Sequence, residues 1–345
     1  MLVLFYYLII NLYFFAKIMK LIFIENDIEY KYGRIIEVII KFLILIFYIF
    51  IINKFKYIQL KKLEREKKYK YFFCFTSMGK LENKYVNELI DYYKNIGVDK
   101  FYLADNNDKY YEKLSDILKK YILDGLVEII DIRGVKKDQT QLFGEVYENH
   151  KSECRWMSFY DFDEYLELRQ INNKINIKTY FSTSNFEKCD VILINWLIYN
   201  DNNIVKYDNR SINERFTKPL YNSEVNKFVK SIIKGNLNWN PWSYDQTSHR
   251  PKHQLKTCDS NGNRVKTFND VIIPPILDNV YLKHFATKTI EEFIDKIKRG
   301  HPSQSLLLHK WIENFFKLNK VTEEKVRLIE DKLNLTIDKY HYVFN

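Results

Sequence analysis

Short apolar runs alternate with amphipathic segments between residues 71 and 160, and this alternation constrains the fold more than any other feature. Nearly continuous apolar runs are typical of strands that are buried on both faces of a sheet. The predicted strands are 71–76, 101–104, 126–132 and 155–160. The predicted helices between them are 81–96, 112–123 and 139–154. This βαβαβαβ order predicts an α/β fold with a mostly parallel sheet and helices on both faces.

Acidic residues follow two of the predicted strands. Asp105 comes after the second strand, and Asp161 and Asp163 come after the fourth. Ligands of such sheets bind at the carboxyl ends of the strands. Residues two apart in extended chain point to the same side, so both carboxylates could hold Mn²⁺ or Mg²⁺ together with diphosphate oxygens. The sequence has neither GxGxxG nor GxxxxGK[ST], so bound phosphates would need a neutralising partner of this kind.

The N-terminal region, residues 1–53, is strongly apolar. Residues 2–16 carry no charge, and residues 35–52 carry only Glu37 and Lys41. As helices these segments reach ~22 Å and ~27 Å, slightly less than a ~30 Å hydrocarbon core. We expect them to form a membrane anchor of one or two helices. The alternative is a pair of buried core helices.

A basic linker, residues 54–69, follows the apolar region and carries seven Lys or Arg residues against Glu64 and Glu66. Such a stripe indicates either a membrane-flanking segment or a nucleic-acid contact, and its place after the apolar region favours the membrane. The positive-inside rule then predicts that the following domain faces the cytoplasm. The scattered cysteines form no CxxC pair and are expected to be free thiols of a reducing compartment. They are Cys74, Cys154, Cys189 and Cys258.

The remaining composition does not require a nucleic-acid partner. It also leaves open a domain that faces a lumen rather than the cytoplasm. The net charge is +10 and the pI is about 9.0, but 43 of the 54 basic residues are Lys, which lack the forked guanidinium of Arg. We therefore expect no nucleic-acid partner, although a basic nucleic-acid-binding protein remains an alternative. The sequons at Asn209 and Asn334 are meaningful only if the domain lies in a Golgi-type lumen, the alternative to the cytoplasm.

Six segments, in this order, resemble elements of the family-2-like and family-92-like glycosyltransferases. They are 80–107, 156–166, 192–196, 230–233, 249–251 and 284–293. The resemblance covers residues 70–300, leaves 301–345 as a helical tail, and implies a GT-A (Rossmann-like) domain with a metal-binding D-x-D-E motif at 161–164. Leu81 departs from the family, which usually has Asn at that position. A non-catalytic membrane scaffold with a degenerate transferase fold is the other alternative.

The resemblance implies a hexosyltransferase-type enzyme that moves a sugar from a nucleotide-diphosphate sugar to a glycan or lipid-linked acceptor. Asp105 would bind the base or ribose of the donor. Asp161 and Asp163 would hold the Mn²⁺ or Mg²⁺ that stabilises the leaving diphosphate. His284 would be a further metal or diphosphate ligand, or else a surface histidine.

The resemblance also implies roles around the acceptor. Lys230 would contact phosphate, and His249 would lie in a loop near the acceptor. Trp196 would stack on a sugar, unless it belongs to the core. An inverting mechanism needs a carboxylate base, for which Asp245 is the candidate.

Overall fold

The structure is a computed structural model, and two compact units divide it, residues 1–68 and 69–345. It describes residue 17 and residues 30–67, 69–169, 176–238, 240–242, 247–251, 255–266, 270–300 and 308–337. The first predicted apolar segment, 2–16, lies outside the described residues. In the first unit, helix α1 (Tyr30–Lys67) contains the second apolar segment, and its apolar side chains from Val38 to Tyr57 are largely exposed. Among the described residues, no helix has the length and apolarity needed to cross a membrane.

The second unit contains nine strands and nine helices of α type among its described residues. The strands are β1 (Tyr71–Gly79), β2 (Lys100–Asp105), β3 (Val127–Asp131), β4 (Cys154–Phe159), β5 (Glu164–Leu168), β6 (Val191–Ile198), β7 (Val229–Lys234), β8 (Thr257–Cys258) and β9 (Val280–His284). The helices are α2 (Asn83–Asn95), α3 (Leu114–Ile117), α4 (Lys119–Leu123), α5 (Gln139–His150), α6 (Ile177–Phe181), α7 (Ile212–Arg215), α8 (Ile290–Lys298), α9 (Leu308–Leu318) and α10 (Glu323–Leu333). The predicted helix 112–123 is thus two short helices.

The first four strands confirm the predicted parallel arrangement. They lie in the order β3-β2-β1-β4, and every neighbouring pair among them is parallel. Side chains of β1 alternate between two cores: Phe73 and Phe75 pack with α2 on one face, whereas Cys74 packs with α5 on the other. The buried apolar runs therefore become central strands covered on both faces.

The second half of the sheet departs from this parallel arrangement, although five of the eight strand pairs among the described residues are parallel, as predicted. The order continues β4-β7-β6-β9-β5, and the pairs β4–β7, β7–β6 and β9–β5 are antiparallel, so the sheet is mixed. Strand β5 begins directly after the turn that follows β4, too soon for the crossover that a parallel neighbour requires. It instead pairs with β9, which is far away in the sequence.

The four cysteines form two disulfides, so the prediction of free thiols is wrong. Cys74 of β1 is bonded to Cys154 of β4, and Cys189 is bonded to Cys258 of β8. Each bond joins chain segments that lie side by side in the sheet, about 70 to 80 residues apart in sequence. Sequence spacing carries no information about such neighbours, because strand pairing alone brings them together.

The last helices pack against the sheet domain. Helices α8, α9 and α10 share one apolar cluster, which includes Phe293, Phe315 and Ile329. Lys325 of α10 forms a fully buried ion pair with Asp201, which follows β6. Because a buried charge needs its partner, this pair fixes α10 to the sheet domain.

Candidate active site

The two candidate metal ligands lie on the short turn between β4 and β5. Asp161 and Asp163 follow the buried end of β4, as the sequence predicts. The next residue, Glu164, is the register partner of His284 at the end of β9. The mixed half of the sheet therefore brings His284 to the turn, about 120 residues later in the chain.

Asp161 is held by a buried lysine. Its Oδ2 accepts a hydrogen bond of 2.7 Å from the ammonium of Lys230, whose side chain is 1% exposed, and its Oδ1 accepts one of 2.6 Å from Gln139. Burial alone would raise the pKa of Asp161, but the Lys230 charge outweighs it and the pKa lies below its usual value. Asp161 is therefore ionised at neutral pH.

Asp163 lies between a lysine and a histidine. Its Oδ2 is 3.1 Å from Lys296 Nζ on α8, and its Oδ1 is 3.6 Å from His284 Nε2. Burial would raise the pKa of this carboxyl, which is 7% exposed, but Lys296 and His284 hold the pKa well below its usual range. Asp163 is thus a buried anion that faces two nitrogen groups.

Glu164, the last residue of the D-x-D-E motif, is buried beneath the turn. It is fully buried, and its Oε2 accepts a hydrogen bond from the backbone N–H of Asp161. Its Oε1 lies 3.7 Å from Lys230 Nζ and has no hydrogen-bond partner among the described residues. Burial raises the pKa of Glu164 well above its usual value. Glu164 supports the turn from inside rather than facing a ligand.

Trp196 separates the two histidines of the site. Its ring centroid is 4.2 Å from that of His284 and 5.1 Å from that of His249. The indole is 8% exposed and belongs to the apolar core, although its N–H has no partner within the described part of the chain. Of the two readings of Trp196, the packing fits a core residue that also forms one wall of the site.

One predicted residue, Asp105, does not lie in this cluster. Asp105 is buried, and its carboxylate accepts hydrogen bonds from the backbone N–H groups of Asn107 and Leu114, so it caps the turn that leads into α3. Arg133 approaches the same carboxylate at 3.6 Å. Asp245 lies outside the described residues.

A cavity of about 740 Å³, a volume typical of small-molecule sites, lies between the start of α2 and helix α8; Asp163 does not line it. Lys296 lines it and also donates a hydrogen bond to Asp163. Lys288, which also lines the cavity and precedes α8 in the chain, adopts φ 54°, a left-handed conformation that residues other than glycine rarely take. Its ammonium lies 3.4 Å from Glu82 and 4.1 Å above the ring of Tyr85. The cavity thus presents cations next to the acidic turn.

The residues present fit a divalent ion that takes most of its ligands from a substrate. Mg²⁺ and similar ions are commonly held by one or two carboxylates plus phosphate oxygens. Asp163 Oδ1 and His284 Nε2 face each other at 3.6 Å and supply an oxygen and a nitrogen ligand, with Asp161 next to them. Within the described part of the chain, no group of three or more His, Cys, Asp or Glu forms a metal site without such a substrate.

A family model described as glycosyltransferase family 92 matches residues 69–337, most of the chain. The chain belongs to glycosyltransferase family 92. The family match includes α9 and most of the segment after residue 300. It therefore extends beyond residues 70–300, which the resemblance of the sequence motifs covers. A comparison with curated proteins gives no match.

Among solved structures, this family 92 chain has weak similarity to S. aureus TarS. The crystal structure of TarS gives a TM-score of 0.34 at 13% identity, and covers 79% of this chain. The chain spans about half the length of TarS, 49%. The structure of TarS 1–349 in complex with UDP-GlcNAc gives a TM-score of 0.33 at 14% identity, with coverages of 79% and 69%.

Sequence reasoning missed three polar residues of the site. Gln139 binds Asp161, Lys296 binds Asp163, and Lys288 lines the cavity. Gln139 follows Asp138, the N-cap of α5, and that cap is a signal that locates the start of a helix near the site. Lys296 has no comparable signal, because nothing in the sequence shows which face of α8 meets the turn.

Proposed function

We propose that this protein transfers a sugar from a nucleoside-diphosphate sugar to a hydroxyl group of a glycan or lipid-linked acceptor, using a GT-A domain. The observation that carries the proposal is the acidic turn at the carboxyl end of β4, flanked by the buried Lys230 and the partly exposed Lys296, in a chain that belongs to glycosyltransferase family 92. Ligands bind at this edge of open α/β sheets. The adjoining cavity is large enough for a small substrate.

The lysines support the binding of a diphosphate. Lys296 and Lys288 line the cavity, and Lys230 lies behind Asp161. Lysine ammonium groups that are fixed before the substrate binds stabilise negative charge without reorganisation in the transition state. As the bond between the sugar and the diphosphate breaks, charge develops on the leaving oxygen, and these ammonium groups would stabilise it.

We propose that Mn²⁺ or Mg²⁺ binds at Asp163 and His284, next to Asp161. When bound, such an ion supplies Lewis-acid stabilisation of the leaving diphosphate. The chain's own part is to keep both carboxylates ionised, which the neighbouring cations support by lowering their pKa values. Glu164 holds the turn through the backbone N–H of Asp161.

We propose that residues 1–53 attach the protein to a membrane. The apolar composition of this region and the basic residues that follow it support the proposal. The disulfides favour the Golgi-type lumen over the cytoplasm as the location of the catalytic domain, because disulfides persist mainly in oxidising compartments. Free thiols would have favoured the cytoplasm. Because the cysteines form disulfides, they give no support to that location.

The test is Asp163→Asn in the full-length protein, with Asp331→Asn on the exposed surface of α10 as the matched control. Asparagine keeps the size of the side chain but removes the charge. We expect metal-dependent release of nucleoside diphosphate to fall by at least a thousandfold, since ~4 kcal/mol of transition-state stabilisation corresponds to that factor. Calorimetric titration with Mn²⁺ should show weaker binding to Asp163→Asn only.

The stability of both variants is measured in the same experiment, because Asp163 is buried. Removing its charge leaves Lys296 without its carboxylate, but Lys296 is partly exposed and can turn to solvent. We therefore expect the variant to fold. Activity and Mn²⁺ affinity equal to those of the control would refute the assignment of Asp163.

A further inference from the structure

His249 lies beside the acidic turn in a defined protonation state. Its Nδ1 is 3.1 Å from the backbone carbonyl of Val229. A carbonyl can only accept a hydrogen bond, so Nδ1 carries the proton and donates it. In the neutral ring, Nε2 then has a free lone pair.

The surroundings of His249 favour the neutral ring. Burial, followed by the Lys230 charge, lowers the pKa of His249 to about 4, while the smaller effects of Asp161 and Asp270 act in the opposite direction. The ring packs against Trp196 and Phe228, which hold its plane. A group with a pKa near 4 is as basic as an ordinary carboxylate, the usual type of proton acceptor for a sugar hydroxyl.

Nε2 of His249 has no hydrogen-bond partner among the described residues. By contrast, the carboxylates around it are engaged. Asp161 accepts from Lys230 and Gln139, and Asp163 faces Lys296 and His284.

The other two nearby carboxylates are also unsuitable as bases. Glu164 is sealed in the interior, where burial raises its pKa. Asp270 pairs with Arg250 at 3.3 Å. His284 Nδ1 also has no hydrogen-bond partner within the described part of the chain, but that atom is buried. His249 therefore offers a lone pair that is neither committed to a cation nor buried in the interior.

We propose that His249 Nε2 is the general base that accepts the proton of the attacking acceptor hydroxyl. This inference rests on the proposed function. The acceptor oxygen forms its bond to the anomeric carbon while its proton moves to Nε2. The bond between the anomeric carbon and the phosphate oxygen breaks, and its electron pair leaves with the nucleoside diphosphate. The imidazolium then releases its proton to solvent.

The experiment compares wild type, His249→Gln and His249→Ala with His309→Gln, a change on the exposed face of α9, as the control. Full-length protein is incubated with a panel of UDP-sugars and Mn²⁺, and released UDP is measured with water or simple glycosides as acceptors. UDP affinity is measured by calorimetry for each protein. His249→Ala is assayed again with added imidazole.

We expect His249→Gln to lower turnover at saturating donor by 10²- to 10⁴-fold, the usual contribution of a general base, with unchanged UDP affinity. Imidazole should restore part of the activity of His249→Ala, which a merely structural role would not allow. Turnover of His249→Gln within threefold of the control would overturn the assignment of the base and leave the proposed function standing. A wild type that, in the same assays extended to the other nucleoside diphosphates and their sugars, binds none of them and turns over none would overturn both.

Discussion

Glu292→Gln is expected to destabilise the protein strongly, although Glu292 lies in a segment that resembles a conserved family element. Glu292 accepts five hydrogen bonds, from Tyr85, from two nitrogens of Arg215 and from the backbone and hydroxyl of Thr289. The side chains of Glu292 and Arg215 are 2% and 1% exposed. Glu292 thus joins α2, α7 and α8 at one buried point.

The magnitude follows from the burial of the pair. Removing one partner of a buried ion pair leaves the other charge uncompensated and costs about 3–5 kcal/mol. The pKa of Glu292 points in the same direction. Burial would raise the pKa of Glu292, but hydrogen bonds from Arg215 and Tyr85 lower it to about 2. A fall from the usual 4.5 corresponds to about 3 kcal/mol of stability, present above pH 4.5 and lost as the pH falls through 2.

The assay is thermal and denaturant unfolding of the full-length protein in detergent, followed by circular dichroism. At about 2–4 °C per kcal/mol for a domain of this size, the melting temperature should fall by roughly 6–20 °C. Glu224→Gln is the matched control, because Glu224 is 91% exposed and pairs only with Lys227 at 3.3 Å. A melting temperature equal to that of the control would refute the structural role of Glu292.

Two further predictions concern pH and location. Between pH 6.5 and 4, His249 is protonated in the unfolded chain but neutral in the native protein, so the free energy of unfolding should fall by up to about 3 kcal/mol as the pH drops. In denaturant titrations, His249→Gln should flatten this part of the pH profile. An unchanged slope in the variant would contradict the prediction. The full-length protein should remain in the membrane pellet after carbonate washing, and its recovery in the supernatant would contradict membrane attachment. In denaturant, which exposes the buried cysteines, all four should resist alkylation until they are reduced, and alkylation without reductant would contradict the disulfides.

The parallel half of the fold could be predicted from the sequence because its information is local. Continuous apolar runs such as 71–76 can only be strands buried on both faces, and the helical periodicity between them gives right-handed crossovers. The position of Asp161 and Asp163 follows from the same pattern, since the end of the apolar run in the sequence shows where the buried strand ends. Sequence therefore determined the first four strands, their order in the chain and the acidic turn.

The tertiary structure decided everything that depends on which distant segments become neighbours. Antiparallel pairing of β9 with β5 brings His284 to the turn, and the packing of α8 brings Lys296 to Asp163. Strand pairing likewise joins Cys74 to Cys154, which the spacing of the cysteines did not reveal. These contacts depend on long-range pairing, whose register is set by the packing of whole faces rather than by any local residue pattern.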